Sequence, residues 1–98
     1  MTTKKPTRKH IALIRSLEQF ALENCNENIA FAALMLRESK SPTSFCYNAG
    51  YAGFYATEAV LTQVKLSLEK TDTFNTLHFR ELGRLLVMIA DTVEERHG

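Results

Sequence analysis

A chain of 98 residues, 45% apolar and 23% charged, has room for one hydrophobic core and not for two. Its net charge of +1 excludes a uniformly basic nucleic-acid binder, and its longest apolar runs, 29–36 and 85–90, fall far short of the roughly 18 residues that span a bilayer. The two cysteines, Cys25 and Cys46, form no Cys-x-x-Cys pair, which excludes a zinc ribbon or a dithiol redox motif, and both are read as reduced core thiols.

Residues 1–6 show no periodicity and are expected to form a disordered basic arm ahead of a single helical domain over 7–98. From Thr7, a suitable N-cap, apolar residues recur at Ile11, Leu13, Ile14, Leu17, Phe20, Ala21 and Leu22, which predicts a helix to about Glu23. Asn24, Asn26 and Asn28 compete for backbone hydrogen bonds, so a break is expected there with Asn26 as the next cap; failing that, the first two helices are one. The run 29–36 is apolar on every side, and a helix without a polar face belongs at the centre of an assembly or against a partner. This second helix should end near Ser39.

Ser41-Pro42-Thr43-Ser44 is the clearest punctuation, since proline expels its predecessor from the α region yet suits the first turn of a new helix. A third helix follows to about Lys70, unless Gly50 kinks it or delays its start. Thr71, Asp72 and Thr73 supply turn and cap chemistry, and Phe79, Leu82, Leu86, Ile89 and Val93 then repeat at alternating spacings of three and four, predicting a fourth helix. A short connection makes the last two helices an antiparallel hairpin, with Val64 and Leu86 expected on its seam. The fold class is therefore all-α: a small bundle of about four helices, completed within the chain or by dimerisation.

The aromatic residues are concentrated. Five of the nine, Phe45, Tyr47, Tyr51, Phe54 and Tyr55, fall within one eleven-residue window, and no charge occurs between Phe45 and Thr57. On a helix, Tyr47, Tyr51 and Phe54 or Tyr55 form one stripe, while Ala49, Gly53 and Ala56 form a shallow groove. Base stacking on these rings would need interleaved cations, so the window is read as core or as a protein interface made by Tyr47, Gly50, Tyr51, Gly53, Phe54 and Tyr55. Basic residues gather elsewhere. Lys4, Lys5, Arg8, Lys9 and Arg15 all precede the first acid, Glu18, after which seven basic against eleven acidic residues leave a net −4. Such an arm can meet nucleic acid weakly or remain a solvated tail.

Little else points to chemistry. His10, His78 and His97 are not spaced as metal ligands with one another or with cysteine, and His78 with Glu81 is one pair where a bundle metal site needs several. There is no nucleophile elbow, and Gly50 with Gly53 lacks the further glycine of a dinucleotide loop. Asp91, Glu94 and Glu95 crowd the last helical turns, and Arg80 and Arg84 share an outer face; both sets read as solvated surface, with Arg80 and Arg84 able also to anchor an acidic partner or phosphate. The expectation is a non-enzymatic, cytoplasmic interaction module, an adaptor, regulator or inhibitor, without cofactor, metal or membrane span, that forms a homodimer through the first half of its third helix or binds another protein. The alternative is a nucleic-acid-associated regulator using the basic arm, and a third reading is a small-ligand pocket lined by Tyr47, Tyr51 and Tyr55.

Overall fold

Four helices, α1 (Arg8–Asn24), α2 (Glu27–Arg37), α3 (Pro42–Leu68) and α4 (Thr76–Glu94), follow one another in a computed structural model that describes residues 8–69 and 76–94. The fold is all-α, as the periodicity implies. The expected basic arm with Lys4 and Lys5, the cap Thr7, the turn residues Thr71, Asp72 and Thr73, and Glu95 and His97 lie outside the described residues.

Two adjacent residues separate α1 from α2. Cys25 adopts a left-handed conformation with φ 51°, and the Asn26 N–H thereby reaches back to the Ala21 carbonyl at 3.0 Å, a Schellman closure of α1. The Asn26 side chain in turn accepts the Ile29 N–H at 3.0 Å, capping α2, so the single long helix does not form. This geometry also corrects the reading of the cysteines: Cys46 is buried and donates its thiol to the Thr92 carbonyl at 3.6 Å, but Cys25, held in the turn, is exposed.

The start of α3 is reciprocal. The Ser44 N–H donates to the Ser41 hydroxyl at 3.1 Å while the Ser41 N–H donates to the Ser44 hydroxyl at 3.2 Å, and Pro42 opens the first turn. Gly50 neither interrupts the helix nor delays its start, and α3 runs as one element to Leu68.

Each helix packs on the next and α4 closes back on α1, giving an up-down-up-down ring. Leu13, Leu17 and Phe20 of α1 meet Ile29 and Leu36 of α2, Ala49, Ala52 and Ala56 of α3, and Leu82, Leu85 and Ile89 of α4 in one core. Burying each large side chain contributes about 1.5–3 kcal/mol. The rings of His10 and Phe45 stack at 4.2 Å, and His78, half-buried rather than free on a helix start, leans on Phe20 at 5.1 Å.

Two expectations fail here. The apolar α2 is not central: it covers α1 and α3 on one side and leaves Phe31 and Leu34 exposed on the other. Val64 is not on the α3–α4 seam, where Gly53 faces Ile89, but 39% exposed. Helix α2 has 11 residues against 27 in α3, about 16 Å against about 40 Å, so it lies along less than half of its neighbour. The longest extent is 55 Å against 24 and 17 Å, with a radius of gyration of 14.3 Å where a compact domain of this size has about 13 Å.

Candidate interaction surface

Helix α3 buries Ala49, Ala52 and Ala56 together with Phe45 on one side and leaves larger residues on the other. Ala49, Ala52 and Ala56 are fully buried, and a β-carbon on Gly53 would touch Ile89 of α4; the groove expected to receive another chain is filled by the protein's own helices. Small side chains on this side let α3 approach its neighbours closely, which offsets the propensity cost of glycine. The larger residues Tyr47, Tyr51 and Phe54 stand on the other side, exposed.

Of the six residues expected at an interface, Tyr47, Gly50, Tyr51 and Phe54 face outward. Gly53 and Tyr55 do not: both are half-buried, and Tyr55 packs against the core. What spacing within the aromatic window misses is how far the outward stripe continues. Tyr47, Tyr51, Phe54, Glu58, Leu61, Lys65 and Leu68 recur at intervals of four and three along the whole helix, and all seven are exposed. Its five apolar members are between 42% (Tyr51) and 78% (Leu68) open to solvent. Twenty-two residues from first to last make a line about 31 Å long. The three-four spacing is present in the sequence, but Glu58 and Lys65 interrupt its apolar run, so only the exposure of Leu61 and Leu68 joins them to the stripe.

The rings on this face are ordered against one another. Tyr47 and Tyr51 meet edge to face at 5.3 Å with hydroxyls 3.4 Å apart, and Phe54 meets Tyr55 edge to face at 5.6 Å. The contact with Tyr51, through the hydroxyl pair and then its charge, pushes the Tyr47 phenol above its ordinary 10.0.

The remaining candidates are dispersed. Arg8, Lys9 and Arg15 are exposed on the first half of α1. Arg84 pairs with Glu81 and Arg37 with Glu18 across the helix surfaces. A groove of about 490 Å³ opens between α1 and α2, lined by Leu22, Ala30 and Leu34 with Arg37 and Glu18 at its edge, and it includes none of the three tyrosines. Among the described residues no group of three or more His, Cys, Asp or Glu is placed to hold a metal, and no helix is long and apolar enough to cross a membrane. Comparison with protein families, with curated proteins and with solved structures returns no match to this chain.

Proposed function

We propose that the chain is a non-enzymatic interaction module that associates with a second copy of itself through the outer face of α3. One observation carries this reading: five large apolar side chains, Tyr47, Tyr51, Phe54, Leu61 and Leu68, stand exposed in a single line on the side of α3 opposite its buried alanines. A lone exposed leucine is ordinary, but five large apolar side chains aligned on one helix face are what interfaces present. Tyrosine and phenylalanine supply large contact areas with few rotatable bonds, so ordering them on binding costs little. Light scattering over the micromolar range tests the reading: it predicts twice the chain mass of 11.1 kDa, and a species that stays at 11.1 kDa throughout would refute it.

A second reading rests on Arg8, Lys9 and Arg15, exposed together at the start of α1 next in sequence to Lys4 and Lys5. Five cations neutralise few phosphates, so any nucleic-acid binding here is weak, indifferent to sequence and lost as salt rises. Tight binding to one DNA sequence at high salt would place this reading first.

A further inference from the structure

The two charged members of the outward stripe specify how the second copy lies. Glu58 and Lys65 are seven residues apart on the same face of α3, both exposed, and among the described residues neither takes part in an ion pair within the chain. In a parallel, in-register pair of α3 helices Glu58 would face Glu58 and Lys65 would face Lys65, so like charges would interrupt the apolar seam twice. A parallel pair shifted by seven residues would join one Glu58 to one Lys65 but is a heterologous contact that does not close. An antiparallel pair about a twofold axis between Leu61 and Thr62 satisfies both at once.

Resting on the self-association reading above, we infer that α3 pairs antiparallel with α3 of a second copy, with Glu58 of each chain set against Lys65 of the other. In this register Leu61 meets its own copy on the axis, and Phe54 stands level, within about 1.5 Å of helix rise, with Leu68 of the second copy. Apolar contacts thus lie at the centre and at both flanks, with an opposite-charge pair between each. From Phe54 to Leu68 the stripe is self-complementary under a twofold rotation, which suits a closed dimer better than an unrelated partner, while Tyr47 and Tyr51 lie beyond the end of the second copy's α3.

The test combines a distance with charge reversal on the full chain. With Cys25→Ser removing the exposed thiol, a spin label at Thr43→Cys marks the exposed N-terminal turn of α3, leaving the buried Cys46 untouched. The antiparallel register puts the two labels about 55 Å apart, whereas parallel helices with axes 8–10 Å apart would hold them within about 25 Å. Glu58→Lys alone, or Lys65→Glu alone, should raise the dimer Kd about tenfold by turning two attractive pairs into repulsive ones. The double reversal should restore it to within about threefold of wild type. Labels within about 25 Å in a protein that is dimeric by light scattering, or single reversals that leave Kd unchanged, would overturn the antiparallel pairing while leaving self-association standing. A wild type that stays monomeric would overturn both.

Discussion

The methyl Cγ2 of Ile89 stands 3.4 Å from the position that a β-carbon on Gly53 would occupy. An alanine there would make ordinary contact, but a longer side chain would crowd Ile89 across the seam. Gly53→Leu should therefore overpack the α3–α4 seam and lower stability by about 1–3 kcal/mol in chemical denaturation. Gly50 is the counterpart: nothing lies within 4 Å of its added β-carbon, so Gly50→Ala should stabilise by about 0.5–1 kcal/mol through helix propensity alone.

Cys25 holds a left-handed conformation that glycine adopts without steric cost. Cys25→Gly should raise the denaturation midpoint, worth about 1 kcal/mol, with far-ultraviolet circular dichroism unchanged. Asn26→Ala should do the reverse, costing about 0.5–2 kcal/mol by orphaning the Ile29 N–H at the start of α2.

The depths of Leu85 and Val64 predict opposite outcomes for one chemical change. Leu85 is fully buried, so Leu85→Asp places an unpaired carboxylate in the core and should unfold the chain. Val64→Asp, on an exposed position, should leave the helical signal and the melting temperature near those of wild type. Thermal melts of the two variants side by side decide this.

These positions also show what was legible in the sequence. Helix boundaries were, because Asn26, Ser41 and Pro42 act through hydrogen bonds and backbone angles within a few residues, and these are written locally. The inward face of α3 was not. It is apolar on both sides, so periodicity finds a helix but not its orientation, and Ala49, Ala52 and Ala56 are inside while Tyr47, Tyr51 and Phe54 are out. Close helix approach selects for small size there, a tertiary constraint that hydropathy does not encode. The same blindness placed Val64 on a seam and α2 at the centre. The habits of its residue type point Cys25 to the core, whereas its place in the turn that ends α1 keeps it exposed. At the candidate surface, Tyr47, Gly50, Tyr51 and Phe54 were legible as a stripe, and Leu61 and Leu68 extend it only once their exposure is known.

The Tyr47–Tyr51 contact predicts a spectroscopic signature. Because the Tyr47 phenol is raised above 10.0, the folded chain holds that proton more tightly than the unfolded chain does. The associated stability is fully present below pH 10.0 and disappears as pH rises through the higher folded value. Phenolate absorbance should show one tyrosine ionising late, and Tyr51→Phe should return it to the ordinary range.

Self-association through the outer face of α3 is tested most directly by the solution mass of a variant that changes only that face. Phe54→Asp with Leu61→Asp alters two exposed positions, so the monomer should keep its helicity and melting behaviour. Light scattering at matched micromolar concentrations should then find wild type at twice 11.1 kDa and the variant at 11.1 kDa. Equal masses for the two proteins, whether both single or both double, would contradict the account.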